Sequence, residues 1–326
     1  MSDDRTNQRV PDNLGQGRAA ASGRAAGRVD RADGLRPGDH VGQTYASEPE
    51  RWQGLIPYVA EGVALGEKVV YVAPGADAER FRHELRRADG DAGHDLDVEG
   101  LLAGGQLAVE PAEGHYTAGR GFDPDSAIAN WRDLVDQALG EGWPGLRVAG
   151  EVAWLFAQVG ARERWAAYEL RFDLLTAGMP LTGMCCYDLR EPRLSTAELA
   201  HAVHPLWLGE LPSSWDTSDG EARVRLHGTV DGGLSISGEL DHASADEVGA
   251  ILAGALDDLV EPVLDVSSLR FVDVAAMRAI FRAGEQLARR HGRVQVRGAS
   301  SLFRRVWELL RFDLLDPRVT LAPEGS

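Results

Sequence analysis

The sequence of 326 residues has little cysteine, and its two cysteines, Cys185 and Cys186, are adjacent. Neighbouring cysteines rarely bridge each other because the resulting ring is strained. The lack of a disulfide framework is typical of a reducing compartment. The sequence also lacks an apolar run of the roughly 18 residues that a membrane-spanning helix needs, and its first residues lack the apolar segment of a secretory signal. These absences predict a cytoplasmic protein that makes no membrane contact.

Positive charge is scarce as well, because 34 Lys and Arg residues stand against 51 Asp and Glu, a net charge of −17. Such an acidic body repels phosphate backbones, so we expect no nucleic-acid partner. Lys68 is the only lysine, and no G-x-x-x-x-G-K-[ST] phosphate-binding loop occurs. Zinc spacings such as C-x-x-C or H-E-x-x-H and the G-x-S-x-G nucleophile motif are absent too. The sequence therefore predicts no ATP hydrolysis, no metal site, no cofactor and no catalytic residue.

What is present divides the chain into four parts. Residues 1–32 hold few large apolar side chains and are predicted to be a disordered tail, either inert or a DNA- or partner-binding arm. Residues 33–209 alternate buried strands with amphipathic helices, which predicts a mainly parallel sheet covered by helices. Residues 210–221 are polar and turn-rich, as expected of a linker. Residues 222–326 combine a hairpin with further helices and strands, so we predict a second α/β domain that folds alone.

The second domain carries four motifs in order: GELD at residues 238–241, VLDVSSL at 263–269, FVDVAAM at 271–277 and GASSLFRRVWELLRFD at 298–313. Together they resemble the STAS domain of anti-sigma-factor antagonists. The resemblance implies a small β-sheet with helices on one side. It also implies binding to a regulatory protein, such as an anti-sigma factor.

The same resemblance bears on regulation, because STAS domains are phosphorylated on a serine that follows an aspartate at a helix start. Here Val274 and then Ala275 follow Asp273, and neither has the hydroxyl that phosphorylation needs. The phosphorylation site is therefore degenerate. Asp273 is either a plain helix N-cap or a cap that also contacts a partner. The predicted partner-binding residues are Asp273, Val274, Ala275 and Met277.

The first domain carries shorter motifs: GDHV at residues 38–41, GEVAW at 150–154, YE at 168–169, CCYD at 185–188 and HP at 204–205. They resemble the MEDS sensory domain, which is named after methanogen and methylotroph sensory proteins. The HP pair is more typical of a helix end. The domain also resembles the RecA/KaiC-like α/β fold with its phosphate-binding loop lost. The resemblance implies a sensory function.

Open parallel sheets bind ligands at the carboxyl ends of their strands. The side chains that we expect to bind a ligand there are His40, Glu151, Trp154, Cys185 and Tyr187. We predict that His40 and Glu151 meet in one crevice, with Cys185 on a neighbouring strand. A histidine, a carboxylate and a thiol could bind a metal or an organic ligand. Alternatively, Cys185, Trp154 and Tyr187 are ordinary core residues.

These observations predict a regulatory protein rather than an enzyme. The first domain would sense a small-molecule ligand or a redox signal, and the second would bind an anti-sigma factor or related regulatory protein without phosphorylation at the usual serine position. Two alternatives stay open. One is an enzyme that uses His40 and Glu151 as acid and base, and the other is a structural scaffold.

Overall fold

The computed structural model describes residues 24–91, 96–117, 121–156, 162–191, 194–210 and 223–324. The chain is an α/β protein with a seven-stranded, all-parallel sheet followed by a six-stranded sheet. Helices cover both faces of the first sheet. Within the described ranges, no helix is long and apolar enough to cross a membrane.

The first sheet has the strand order β1-β7-β2-β6-β5-β3-β4. Its strands are β1 (Gly27–Val29), β2 (His40–Tyr45), β3 (Lys68–Ala73), β4 (Leu107–Pro111), β5 (Leu146–Glu151), β6 (Leu181–Asp188) and β7 (Leu206–Leu208). The helices of this domain are α1 (Glu48–Ala64), α2 (Gly75–Asp91), α3 (Val98–Ala103), α4 (Ala112–Tyr116), α5 (Pro124–Gly140), α6 (Arg162–Gly178) and α7 (Leu194–Val203).

The central strands are buried over their whole length, as parallel strands between two helical layers must be. Successive side chains of a strand point to opposite faces of the sheet. One face packs on α5 and α6 through residues such as Trp131 and Phe172. The other packs on α1 and α2 through residues such as Leu55 and Phe81. The register of the strands therefore decides which polar side chains can meet.

The second sheet has the order β11-β9-β10-β12-β13, and β8 pairs with β9 in an antiparallel hairpin. In β12, buried Val294 and Val296 flank exposed Gln295, a pattern typical of a sheet covered by helices on one side. The elements of this domain are β8 (Val224–Gly228), β9 (Leu234–Leu240), α8 (Ala245–Ala255), β10 (Val263–Asp265), β11 (Leu269–Val272), α9 (Val274–His291), β12 (Val294–Arg297), α10 (Ser301–Leu309), α11 (Phe312–Leu315) and β13 (Val319–Leu321).

The two domains pack against each other along α6 and α8. Ala166, Ala167 and Leu170 of α6 belong to the same hydrophobic cluster as the core of the second domain. Ion pairs flank this contact and join Arg162 to Glu247 and Arg171 to Asp258. Helix α6 thus has the first sheet on one side and the second domain on another.

The prediction of a disordered tail over residues 1–32 is wrong for residues 24–32. Residues Gly27–Val29 form β1, which pairs with β7, and Val29 and Ala32 are buried. The sequence pattern missed this strand because it has only three residues and follows an Ala- and Arg-rich stretch. The rest of the predicted tail, and the predicted linker apart from residue 210, lie outside the described residues.

Candidate functional site

Four buried side chains with metal-ligand chemistry converge on the α5–α6 face of the first sheet. His40 is the first residue of β2, Glu169 lies in α6, Cys185 lies on β6, and His204 directly follows α7. One ligand atom from each lies within 4.8 Å of the ligand atoms of the other three. We call these four residues the buried polar cluster.

The contacts within the buried polar cluster are short. The Nε2 atom of His40 lies 3.5 Å from the Sγ atom of Cys185 and 3.6 Å from the Oε2 atom of Glu169. The Cys185 thiol donates to the same Oε2 atom at 3.3 Å, and His204 Nε2 lies 3.6 Å from it. The Tyr187 hydroxyl donates to the other oxygen of Glu169 at 2.8 Å. Glu169 is therefore the centre of the cluster.

A hydrogen bond outside the cluster orients the His204 ring, and a carboxylate lies beside the His40 ring. His204 Nδ1 lies 2.7 Å from the carbonyl oxygen of Ala200, which can only accept, so Nδ1 carries the proton. Its Nε2 atom then presents a lone pair to the cluster, and it has no hydrogen-bond partner among the described residues. His40 Nδ1 lies 3.4 Å from Asp173 Oδ1, so its Nε2 atom also faces the cluster.

Asp173 connects His40 to the second domain. The Nη1 and Nη2 atoms of Arg24 each donate to one of its carboxylate oxygens at 2.9 Å. The backbone N–H of Gly228, at the end of β8, donates to Asp173 Oδ2 at 2.7 Å. Burial alone would raise the pKa of Asp173, but Arg24 and His40 together hold it below its usual range.

Burial shifts every ionisable group of the buried polar cluster toward its neutral form. It raises the pKa of Glu169 to about 8 and raises the pKa of Cys185 well above its ordinary value. It lowers the pKa of His40 and of His204. At neutral pH and without a bound ion, the cluster is therefore predominantly uncharged.

Glu151 belongs to a separate network on the opposite face of the sheet. Its Oε1 atom accepts hydrogen bonds from Arg51 Nε and the Tyr71 hydroxyl, both at 2.9 Å, and its Oε2 atom accepts one from the Tyr45 hydroxyl at 2.8 Å. Burial raises the pKa of Glu151, although Arg51 opposes that shift. Arg51 also pairs with Asp77 at 3.0 Å. The charged groups of this network therefore have partners within the protein.

The prediction that His40 and Glu151 meet in one crevice is wrong. In the parallel register His40 lies opposite Gly183, whereas Glu151 lies opposite Cys186. Residues 183 and 186 differ by an odd number of positions, so their side chains, and those of their partners, point to opposite faces. The sequence pattern missed β2 because its apolar character is interrupted by His, Gln and Thr, and the face of His40 could not be assigned.

The other predicted ligand residues all pack on the α5–α6 face. Cys185 lies beside His40, as predicted, and both Cys185 and Tyr187 contact Glu169. The Trp154 ring contacts Tyr116 on that face, and its indole N–H donates to the Glu151 carbonyl oxygen at 2.8 Å. A ligand-binding role for each of these residues stays a prediction.

Sequence reasoning missed Glu169, Asp173 and Arg24, and it interpreted His204 mainly as a helix end. One signal was available, because Glu169 and Asp173 are four residues apart in a helix and therefore share a face. That helix is buried on most sides, so the pair had to lie in the interior. No signal was available for Arg24, which lies in the predicted tail.

On the second domain, the predicted partner surface is only partly exposed. Val274 is 42% exposed, and Asp273 caps α9 by accepting from the Ala276 N–H at 2.9 Å. Its second oxygen accepts from the His242 N–H at 2.8 Å. Met277 is 1% exposed and belongs to the core, so its assignment to the surface is wrong. Phe271, at 53% exposure, was missed.

A cavity of about 680 Å³ opens beside β1, β2 and α1. Its lining includes Arg28, Asp30, Gln43 and Glu50, but none of the five ligand residues predicted from the sequence. The predicted residues thus lie in packed interior or at the edge of the sheet, away from this cavity.

Two family models match the chain. The model described as the methanogen/methylotroph, DcmR sensory domain, or MEDS, matches residues 39–205, and the model described as the Mlab, STAS domain matches residues 218–317. Both fall on the segments where the sequence motifs indicated these domain types. No curated protein matches the sequence.

Two solved structures are distantly similar to the chain. The phosphorylated Bacillus cell fate determinant SpoIIAA is 20% identical, with 31% of this chain and 92% of that one covered and a TM-score of 0.25. The DUF1998 helicase MrfA bound to DNA and AMPPNP is 13% identical, with 87% of this chain and 39% of that chain covered and a TM-score of 0.35. Likeness at this level carries no argument about function.

Proposed function

The chain belongs to the MEDS family and joins its MEDS domain to a STAS domain, and from this premise we propose that it is a sensor–output regulatory protein. In this proposal the MEDS domain responds to a small ligand or a redox signal. The STAS domain binds a regulatory protein partner, for which an anti-sigma factor is the leading candidate. The proposal includes no catalytic step.

One observation carries the proposal, namely that Asp173 faces His40 on one side and the STAS domain on the other. Asp173 Oδ1 lies 3.4 Å from His40 Nδ1, while its Oδ2 accepts the Gly228 N–H at 2.7 Å. A change of charge or position at the buried polar cluster would therefore act on the end of β8 directly. A ligand shifts an equilibrium only if it prefers one of two states, and this contact supplies a place where two states could differ.

The packing of α6 supports the same proposal. Its Glu169 and Asp173 side chains reach into the first domain, while Ala167 lies against Gly254 of α8. Helix α8 in turn packs on α9, which begins at Val274. Interior packing is dense and resists gradual deformation, so a movement of α6 would be passed to the helix that bears the proposed partner surface.

We propose that partner binding does not depend on phosphorylation at the usual position, because Val274 has no hydroxyl. Val274 and Phe271 are both exposed apolar residues, and they stand three positions apart at the capped N-terminus of α9. Exposed apolar side chains that lie together suit a protein contact. Asp273, which is engaged with two backbone N–H groups, fixes the shape of this area.

The experiment compares Val274→Asp with wild type for binding to a purified anti-sigma-factor protein of the source organism, by calorimetric titration. A charge placed in the contact should weaken binding at least about tenfold, roughly 1.4 kcal/mol. Val260→Asp is the matched control, because Val260 is 71% exposed and lies in the loop before β10. If folded Val274→Asp binds with unchanged affinity, this area is not the partner surface.

The enzyme alternative loses its stated geometry, since His40 and Glu151 lie on opposite faces of the sheet and cannot act on one substrate atom. We keep the proposal that the chain does not hydrolyse ATP. The scaffold alternative differs from a sensor in one measurable respect. A scaffold would bind its partner equally in every state of the MEDS domain.

A further inference from the structure

We propose that His40, Glu169, Cys185 and His204 bind one Zn²⁺ ion in the core of the MEDS domain. The inference stands on the geometry of the buried polar cluster and does not require the proposed partner. The ligands come from four separate elements, β2, α6, β6 and the end of α7. That origin is why no zinc spacing occurs in the sequence.

The distances fit a tetrahedral site. With zinc–ligand bonds of about 2.0–2.3 Å, the edges of a tetrahedron are roughly 3.3–3.8 Å long. Four edges of the cluster measure 3.3, 3.5, 3.6 and 3.6 Å, between Glu169 and Cys185, His40 and Cys185, His40 and Glu169, and His204 and Glu169. The two remaining edges, from His204 to His40 and to Cys185, are within 4.8 Å, so the four atoms surround one position that a small ion can occupy.

The His204 imidazole has the orientation of a metal-ligating histidine, and the remote nitrogen of His40 lies 3.4 Å from a carboxylate oxygen. Such histidines donate their remote N–H to a carbonyl or carboxylate, which fixes the ring and exposes the other nitrogen. His204 donates to the Ala200 carbonyl and His40 faces the Asp173 carboxylate. The Nε2 atom of His204 is buried and has no hydrogen-bond partner among the described residues. A buried acceptor without a partner is unfavourable, and a bound ion would satisfy it.

The charges also balance. A divalent ion with a carboxylate, a thiolate and two neutral imidazoles is a neutral unit, which a dry interior tolerates far better than an unpaired charge. The neighbouring Asp173 is already neutralised by Arg24. A thiolate with imidazoles and one carboxylate favours zinc over the hard ions Mg²⁺ and Ca²⁺, which take oxygen ligands.

Burial determines how the ion would enter. His40 and Glu169 are fully buried, and Cys185, the most accessible ligand, is only 6% exposed. Zinc would therefore bind during folding rather than to the folded chain. The protein should be unfolded with chelator, freed of any affinity tag, and refolded with Zn²⁺ or Co²⁺ as the probe.

The test measures metal content and the cobalt spectrum of the full chain. We expect one Zn²⁺ per refolded chain, and with Co²⁺ the visible bands of a tetrahedral site together with a thiolate-to-cobalt band. Cys185→Ser should abolish the thiolate band and weaken zinc binding more than about 100-fold, beyond the effect typical of outer partners. Cys186→Ser is the matched control, because Cys186 is buried on the opposite face of the sheet. This variant should retain both the thiolate band and zinc binding.

A second pair of variants tests the site if Cys185→Ser does not fold. His204→Gln should weaken binding, whereas His201→Gln, in the same helix and also buried, should not. The proposal is overturned if the refolded wild-type protein contains less than one metal ion per chain. Loss of the thiolate band in Cys186→Ser but not in Cys185→Ser overturns it as well, since the ion would then lie elsewhere. Neither outcome bears on partner binding by the STAS domain.

Discussion

The guanidinium group of Arg24 lies in the core, where it pairs with the buried carboxylate of Asp173 through two contacts of 2.9 Å. Removing one partner of a buried ion pair leaves the other uncompensated, which costs about 3–5 kcal/mol. We therefore expect Arg24→Met to lower the free energy of unfolding by about that amount, measured by urea denaturation.

Arg28→Met is the control for this prediction, because Arg28 is exposed and lies only four residues away. Exposed substitutions of this kind change stability by about 0.5 kcal/mol or less. Equal stability of the two variants would contradict the buried pair and would restore residues 24–32 to an inert tail.

Arg24 also shows where sequence reasoning at the residue scale stops. The types of the site residues were visible, since His40, Cys185 and Tyr187 stand in recognisable motifs. Their partners were not, because Arg24 and Asp173 are 149 residues apart. Local patterns carry no information about such contacts. The face to which His40 points also depends on strand register, which a one-residue shift reverses.

At the scale of single elements, α8 contains two glycines with different surroundings. A Cβ atom on Gly254 would lie 2.8 Å from the Cβ of Ala167 in α6, whereas one on Gly249 would have Ala279 at 4.0 Å as its nearest neighbour. Alanine in place of an interior helical glycine raises the free energy of unfolding by about 0.5–1 kcal/mol. At Gly254 the added methyl group would overpack the contact with α6, which costs about 1–3 kcal/mol of stability and outweighs that gain.

We therefore expect Gly249→Ala to raise the free energy of unfolding by about 0.5–1 kcal/mol and Gly254→Ala to lower it. Thermal denaturation of both variants measures the difference. Since both substitutions carry the same helix-propensity gain, a stabilised Gly254→Ala would mean that α6 and α8 are not in close contact.

Elements with a strong local signal could be predicted well. The β-branched run KVVYVA predicts a buried strand over residues 68–73, and β3 has those bounds. Asp123 ahead of Pro124 predicts a helix start, and Asp123 caps α5. Strands with weak signals were missed, namely β1, β2, β7 and β11, which are short or rich in polar residues. Their burial is decided by the neighbouring strands and helices rather than by their own composition.

At the scale of the whole molecule, the sequence predicts two α/β domains, and the family matches confirm their types as MEDS and STAS. It does not predict that they share a hydrophobic cluster. The side chains involved on α6 are alanines and a leucine, which fit a core inside one domain equally well. The relation to the RecA/KaiC-like fold stays a prediction.

The shared cluster decides how independent the STAS domain is. The side of α8 that faces α6 includes Ala250 and Gly254 beside Ala167 and Arg171. Most of the buried residues in the shared cluster belong to the STAS domain itself, so residues 222–322 should fold alone with a cooperative transition. The fragment also loses the contacts of Gly228 with Asp173 and of Asp258 with Arg171. Each kcal/mol lost lowers the melting temperature of a domain this size by about 4–8 °C.

We therefore expect calorimetry to show one sharp transition for the fragment, several degrees below that of the STAS domain within the full chain. A second fragment that begins at residue 162 restores α6 and should recover part of the difference. If the shorter fragment lacks a cooperative transition and the longer fragment has one, α6 is an obligate part of the STAS core. The boundary would then lie inside the MEDS domain, and the signal proposed to pass through α6 would act on the folding of the output domain itself.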